Sequence, residues 1–428
     1  MKERVAIIEG VRTPYCKSNG ALKDIYADDL GAVAVQALLA KTGIRGEEVD
    51  ELIFGNVLQP PDKTNIARVL SVKSGLPISV PSYTVNRNCA SGIEAIASGV
   101  DRILQGNAQV IIAGGTESMS HFPVLFPNAM RDFLLALQKA KNFKQKIQVL
   151  LKFRPSYLYP EMPGISDPLC SLTMGQTAEI LAREFKITRK EQDEFAFQSQ
   201  KRAVEAIKSG KLAEEIIPVF LPPNYANAQL VDEGPRDNQT MDALAKLKPA
   251  FDKYTGTVTA GNASPTTDGA AALLLMTETK AKELGLKPLG YIVDYAEAGL
   301  QPNKMGLGPV YATSKLLKKT GKELKDFDLI EINEAFAAQV LAVKKAFASD
   351  EFAKKELGRD KAIGEIDNDK LNVNGGAIAL GHPLGASGVR LVLTLLKELR
   401  RRNKNLGLAT LCVGGGQGQA MIVEVAND

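Results

Sequence analysis

The sequence predicts an α/β protein built from one unit used twice, with a segment inserted into the first copy. Three observations predict it. Strand-like and helix-like patterns alternate through roughly the first 115 residues of the 428-residue chain. Roughly the last 140 residues run through the same order of elements. Equivalent strands of the two copies end in glycines, Gly114-Gly115 in one and Gly414-Gly415-Gly416 in the other.

The elements follow in order. A short apolar run at 5–8 is a strand, and residues 28–39, rich in Ala and Leu, form an amphipathic helix. Residues 51–54 and 82–85 are short strands. A helix follows over 91–104, because Ile93, Ile96, Val100 and Ile103 recur at helical spacing and Gly106 stops it. Residues 110–113 are the next strand. In the second copy Asp328-Leu-Ile-Glu-Ile-Asn matches Asp50-Glu-Leu-Ile-Phe-Gly, and Val373-Asn374 matches Val85-Asn86. Ala386-Ser387-Gly388-Val389 opens a helix as Ala90-Ser91-Gly92-Ile93 does, and 407–413 is a strand. The division expected is a first half over 1–117 and 251–285, an inserted loop domain over 118–250, and a second half over 286–428. Two halves related by a pseudo-twofold bring equivalent loops together, so a site fed by both is expected.

Composition narrows the function. At 45% hydrophobic the chain has ample material for large cores, and a chain this long buries about three quarters of its surface. Four cysteines, at 16, 89, 170 and 412, form no disulfide framework. Two histidines, with no Cys-x-x-Cys and no His-Glu-x-x-His, leave no metal site to propose. A net charge of +4 is too small to imply nucleic acid. The start, with Glu3 ahead of a short apolar run, lacks the longer core of a signal peptide. No run approaches the ~18–20 apolar residues that span a bilayer. The last residues, Val-Ala-Asn-Asp, match no address. The expectation is a cytoplasmic protein with reduced thiols.

The inserted segment is distinct in charge. Residues 121–160 carry seven basic side chains against one acid, Asp132, interleaved with Phe133, Leu134, Leu137, Phe143, Ile147, Leu150, Leu151 and Phe153. That pattern makes one or two basic amphipathic helices. It suits a solvated face over a local core as well as a membrane-surface or partner contact.

Three residues stand out for chemistry. Cys89 lies between a strand and a helix in Asn88-Cys89-Ala90-Ser91-Gly92, where the positive end of the helix dipole favours a thiolate. His382, in Gly381-His382-Pro383-Leu384-Gly385, is held on a tight loop just before a helix and suits a base for a thiol. Cys412 precedes Val413-Gly414-Gly415-Gly416. The strand-like Gln419-Ala-Met-Ile-Val that follows argues for a β-hairpin with bare N–H groups, and against a phosphate-binding loop. Asn333, in Asn333-Glu334-Ala335-Phe336, has the position of a helix N-cap. His121, Cys16 and Cys170 have only structural or surface readings. The small residues of 255–268 suit a tight turn or a strand end that a ligand approaches.

Together Asn88-Cys89-Ala90-Ser91-Gly92, Gly114-Gly115-Thr116-Glu117-Ser118-Met119, Asn333-Glu334-Ala335-Phe336, Gly381-His382-Pro383-Leu384-Gly385 and Cys412-Val413-Gly414-Gly415-Gly416 resemble the motifs of the thiolase family, in the family's order and along nearly the whole chain. The resemblance implies a five-layer α-β-α-β-α fold of two similar halves plus a loop domain, as a homodimer or tetramer. It implies Cys89 as the acyl-accepting nucleophile, His382 as its activator and Cys412 as the acid/base at the substrate's α-carbon. It also implies that Asn333 holds a water that forms one oxyanion hole with His382, and that the N–H groups of Cys89 and Gly414 form the other. The coenzyme A thioester contacts it implies are Arg236, Ser264, Met174, Met305, Ala335 and Phe336, with CoA as a substrate and no permanently bound cofactor.

The biosynthetic branch of the family often has His before the Met-Gly of its loop domain, where this chain has Thr173. The basic segment resembles that of thiolase subunits in fatty-acid β-oxidation complexes, which implies 3-ketoacyl-CoA thiolysis on longer chains beside a hydratase/dehydrogenase subunit. Alternatives are an acetyl-CoA acetyltransferase making acetoacetyl-CoA, a ketoacyl synthase, which usually needs a second His in register, and a non-catalytic scaffold, which would be free to lose Cys89, His382 or Cys412.

Overall fold

A computed structural model describes residues 3–160 and 166–426. Part of the chain end whose lack of an address was noted, residues 427–428, lies outside them. Nine strands form one continuous path. The first half contributes, from the edge inward, Ser82–Val85, Glu51–Gly55, Val110–Glu117, Thr267–Thr277 and Val5–Arg12. The second contributes Gly290–Gly299, Gln417–Val425, Leu406–Val413 and Leu329–Ile332. The halves join where Val5, Ala6 and Ile7 pair antiparallel with Ile292, Tyr291 and Gly290.

The duplication is visible in the pairing. In the first half Glu51–Gly55 runs parallel to both neighbours, Ser82–Val85 and Val110–Glu117, and the next pairing, to Thr267–Thr277, is antiparallel. In the second half Leu329–Ile332 runs parallel to Leu406–Val413, which pairs antiparallel with Gln417–Val425. A parallel bridge from Ile330 to Leu371 stands where the other half has its edge strand.

Three apolar cores define the layers. The helices Ser91–Leu104 and Leu384–Arg401 lie in the middle, and their Ile93, Ile96, Val100, Val389, Leu393 and Leu396 are buried against strands of both halves. Outside the first half, Ala27–Thr42 and Ile66–Lys73 bury Leu30, Val35, Leu38 and Leu70 against the sheet. Outside the second, Gly308–Thr320 and Ala337–Phe347 bury Val310, Leu316, Val340 and Phe347. The order is therefore helix, sheet, helix, sheet, helix. Strands buried on both faces need near-continuous apolar sequence, and Thr267–Thr277, Val110–Glu117 and Leu406–Val413 are buried at every position.

The central helices approach closely because glycine permits it. A Cβ at Gly92 would stand 2.5 Å from the Gly385 carbonyl oxygen, and one at Gly388 would stand 2.4 Å from the Ile93 nitrogen. This contact draws the start of each central helix, and the turn before it, toward the other.

Between Val110–Glu117 and Thr267–Thr277 the chain makes an excursion. It contains the basic helices Asn128–Lys139 and Phe143–Leu150, in which no residue is buried. Their local packing is a small aromatic group of Phe133, Phe153 and Tyr157. The following helices Met174–Glu184 and Arg189–Lys208 are well anchored, each opening on a threonine capping box, Thr173 with Gln176 and Thr188 with Glu191.

Candidate active site

The turn carrying Cys89 is built by short-range bonds. The Arg87 N–H donates to Ser91 Oγ at 3.0 Å, and Ser91 Oγ donates to the Asn88 carbonyl at 2.7 Å. Asn88 takes a positive φ of 45°, a conformation that Asn tolerates better than most residues. The turn is stitched to the hairpin of the other half. Asn88 Nδ2 donates to the Gly414 carbonyl at 2.8 Å, Arg87 donates to Glu94 and Gln417, and Gln419 donates to Glu94. Cys412 and Gly418 are paired, as are Val413 and Gln417, so Gly414 to Gly416 form the hairpin tip the sequence predicts.

Cys89 is half-buried and Cys412 is buried, and the two lie near enough that charge on the Cys89 thiolate would act on Cys412. The backbone N–H groups of Gly414 and of Cys89 itself stabilise the Cys89 thiolate. Burial outweighs them and raises the Cys89 pKa. The helix-dipole argument for a resting thiolate therefore fails here: the helix begins two residues later, at Ser91, and desolvation is the larger effect. Burial, reinforced by Cys89, pushes the Cys412 thiol up much further, so it keeps its proton at neutral pH.

His382 is buried, with Nδ1 2.6 Å from Ser387 Oγ and Nε2 3.3 Å from Asn333 Nδ2. Ser387 Oγ spends its own hydrogen on the Pro383 carbonyl at 3.0 Å, so it accepts from Nδ1–H. Asn333 Nδ2 donates to Nε2, which is therefore the unprotonated nitrogen. Burial, with Arg390 nearby, pushes the imidazole pKa down to about 3, so the ring rests neutral.

Asn333 departs from its sequence expectation. The Ala337–Phe347 helix is capped at Phe336, and Asn333 sits at the strand end, its N–H bonded to the Thr410 carbonyl. Its side chain turns to His382, and Asn333 Oδ1 is buried with no hydrogen-bond partner. An orphaned buried acceptor beside a histidine is a place for a water or a ligand donor.

Three supporting residues escaped the sequence reading. Glu117 is fully buried and accepts from Asn56 Nδ2 and from the N–H groups of Val57, Leu58 and Gly385 at 2.9–3.1 Å. Desolvation raises its pKa to about 7. Glu334 accepts from Ser199, Asn372 and the Ile378 N–H, fixing the loop that leads to His382. Ser387 sets the histidine tautomer. The available signal for the two acids was their place at the ends of buried strands, where a carboxylate needs several donors.

The other expected contacts fall in two groups. Met305, Ala335, Phe336 and Cys412 belong to one apolar cluster, and Met174 packs against it. The Ser264 N–H donates to the Ala335 carbonyl, which sets the 255–268 segment alongside. Arg236 is exposed on a loop and is held through its backbone N–H by Gln200 Oε1. Of the residues without a chemical reading, Cys16 is buried, and His121 bonds Ser118 and stacks on Tyr26 at 4.0 Å. Among the described residues no cluster of His, Cys, Asp and Glu could hold a metal ion.

Comparison with known proteins agrees with this geometry. Residues 5–279 match the family model "Thiolase, N-terminal domain", and residues 286–425 match "Thiolase, C-terminal domain". The chain belongs to the thiolase family. The curated relatives include proteins named 3-ketoacyl-CoA thiolase from Photorhabdus laumondii, 44% identical, and Yersinia enterocolitica, 43% identical. Each alignment covers 99% of this chain and 97% of the relative. Similar solved structures include the Bacillus anthracis acetyl-CoA acetyltransferase, with TM-score 0.87, 39% identity and 99% coverage of both chains. Human mitochondrial 3-ketoacyl-CoA thiolase in complex with CoA gives TM-score 0.84 and 38% identity, covering 99% of this chain and 98% of that one. The five-layer thiolase fold implied by the sequence motifs is the fold observed.

Proposed function

We propose that this thiolase cleaves 3-ketoacyl-CoA with CoA, giving acetyl-CoA and an acyl-CoA two carbons shorter, through an acyl-cysteine. What supports the proposal is a half-buried Cys89 whose charge bears on the protonated Cys412, on a turn whose helix packs closely on the one that follows His382, itself neutral with Nε2 unprotonated. In this reading Cys89 loses its proton to His382 Nε2 as its sulfur bonds to the C3 carbonyl carbon. The N–H groups of Cys89 and Gly414 receive the oxyanion. The C2–C3 bond breaks, and its electron pair passes into the thioester of the departing fragment as an enolate. His382, now carrying Nε2–H, and a donor held by Asn333 Oδ1 stabilise that enolate oxygen. The Cys412 thiol gives its proton to C2, and acetyl-CoA leaves. The thiol of a second CoA then loses its proton to Cys412 and attacks the acyl group. Cys89 departs as thiolate and regains the proton from His382.

The names of the full-length relatives support the cleavage direction, and Thr173 before Met174-Gly175 favours a pocket for longer acyl chains. We place the enzyme in fatty-acid β-oxidation in the cytoplasm, where both thiols stay reduced, as a homodimer or tetramer. We propose the unpacked helices of 121–160 as the contact for a membrane surface or a hydratase/dehydrogenase subunit. We assign Met174, Ser264, Met305, Ala335 and Phe336 to the pantetheine path and Arg236 to the far end of CoA. We keep the division into two halves, 1–117 with 251–285 and 286–428, around a loop domain at 118–250.

The test is thiolysis across a chain-length series of 3-ketoacyl-CoAs, with mass spectrometry of the quenched enzyme. An acyl adduct on Cys89 and activity beyond acetoacetyl-CoA are expected. Activity confined to acetoacetyl-CoA would favour the acetyltransferase, the reading suggested by the Bacillus neighbour. No adduct with any thioester would leave a scaffold.

A further inference from the structure

The hairpin that supplies the Gly414 N–H is made of glycines, and Gly415 and Gly416 both have left-handed φ, 86° and 78°. Glycine loses more freedom on ordering than any other residue. A three-glycine tip therefore holds an N–H on target only if its polar groups are pinned from outside. The Gly414 carbonyl receives Asn88 Nδ2 at 2.8 Å, and the Gly416 carbonyl receives the Leu300 N–H at 2.8 Å. The Gly415 N–H donates to Asp167 Oδ2 at 2.7 Å. The single peptide unit between Gly414 and Gly415 is thus clamped at both polar ends. Its carbonyl is held by the residue before the nucleophile, and its N–H by a residue of the inserted segment.

Asp167 is built to hold. It is 4% exposed. Its other oxygen accepts the Leu169 N–H at 2.8 Å, its own N–H donates to the Leu172 carbonyl at 2.8 Å, and its carbonyl accepts the Ser171 N–H at 2.7 Å. Ser166 bridges to Thr173, which caps the helix opening at Met174. Met174 in turn lies against the hairpin: its sulfur would be 3.2 Å from a Cβ at Gly414. The same short loop therefore grips the hairpin twice, once by a charge-assisted hydrogen bond and once by a thioether.

We propose that Asp167 is a positioning residue that aims the Gly414 N–H at the oxyanion formed on attack by Cys89, and so couples the inserted loop to the acyl-transfer step. The proposal rests on the thiolase reading above. It predicts a defect confined to steps that develop an oxyanion at that N–H. Acylation of Cys89 by a 3-ketoacyl-CoA is such a step; alkylation of Cys89 by iodoacetamide is not.

The experiment compares both rates in rapid-quench assays for the wild type, Asp167→Ala and Asp167→Asn. Removing an oxyanion donor outright costs about 10²–10³-fold, so misaiming one should slow acylation of Asp167→Ala by about 10–100-fold. Because the same N–H also stabilises the Cys89 thiolate, alkylation is read as its limiting rate from a pH profile, and that rate is expected to stay within about twofold; Asp167→Asn, which keeps one acceptor oxygen, should acylate at a rate in between. Equal slowing of acylation and alkylation in both variants would mean a general loosening of the site and would overturn the proposal, as would unchanged acylation. If Asp167→Ala fails to fold, Asp167→Asn alone decides by the same ratio. A wild type that alkylates but never acylates would sink the thiolase reading itself, which is a separate result.

Discussion

The two halves place a turn at the same point of the fold, before a central helix, and use it differently. In the first half the turn presents Cys89, half-buried, where a ligand can meet it. In the second it presents His382, buried and locked by Ser387 and Asn333. The strands beside the two turns also diverge. Leu406–Val413 doubles back at once through glycines and brings Cys412 and the Gly414 N–H to the site. Val110–Glu117 runs on into the long excursion, and its last residue, Glu117, reaches across to the Gly385 N–H of the other half. In the proposed mechanism one half therefore supplies the nucleophile and a buried brace, and the other supplies the proton-handling groups. Duplication set two equivalent loops face to face, and the residue at each position decided its role.

The sharpest way to break this division of labour is to remove the sulfur from each half. Cys89→Ala should lose about 10⁴-fold or more in thiolysis and form no acyl adduct, because nothing else can accept the acyl group. Cys412→Ala should lose about 10²–10⁴-fold, the usual share of a general acid or base. It should still be alkylated at Cys89, because the first half's turn is intact. Circular dichroism should find both folded. A Cys89→Ala enzyme that retained turnover would end the assignment.

The oxyanion partners come next. Asn333→Ala removes both the donor to His382 Nε2 and the orphaned Oδ1, and about 10²–10³-fold in kcat is expected. The same half carries a pH signature. The pKa of His382 is depressed in the folded protein, to about 3 from an ordinary 6.5, so the unfolded chain binds the proton more readily. The stability of the neutral ring is fully present above about pH 6.5 and is lost as pH falls toward 3. Unfolding free energies from urea titrations at pH 7, 6, 5 and 4 should fall faster in the wild type than in His382→Gln, by about 1 kcal/mol per pH unit within that window. Parallel curves would mean that the imidazole is not held neutral.

The brace in the first half has a smaller, structural effect. All four of Glu117's partners are N–H donors. Glu117→Gln sets an amide NH₂ against two of them and leaves buried donors unpaired, at about 1–3 kcal/mol. Thermal unfolding should register the loss, and kcat should fall less than in Asn333→Ala, because Glu117 touches the loop of His382 and not the substrate.

Much of this comparison was legible in the sequence. Strand and helix patterns follow local periodicity, so the order of elements and the duplication could be read directly. Cys89, His382 and Cys412 could be singled out from their glycine-rich turns. What local sequence does not encode is the far partner. Asn333 looks like a cap until residue 382 is set beside it. Glu117, Glu334 and Asp167 acquire meaning only through N–H groups contributed by distant loops. The helix-dipole argument erred for a related reason: burial, a property of the whole fold, overrode it at Cys89.

The smallest expected effect lies outside both halves. The helices Asn128–Lys139 and Phe143–Leu150 bury no residue, and Phe143 and Leu151 are about four-fifths exposed, at 79% and 80%. Changing exposed side chains usually moves stability by no more than about 0.5 kcal/mol. Phe143→Glu with Leu151→Glu should therefore leave the unfolding midpoint and the thiolysis of a short, soluble substrate unchanged, since neither side chain belongs to the cores that hold the site. The same pair should abolish sedimentation with anionic phospholipid vesicles if the basic, apolar face meets a membrane. Loss of activity on the short substrate would mean instead that the excursion supports the catalytic halves, and the separation between scaffold and surface segment would have to be redrawn.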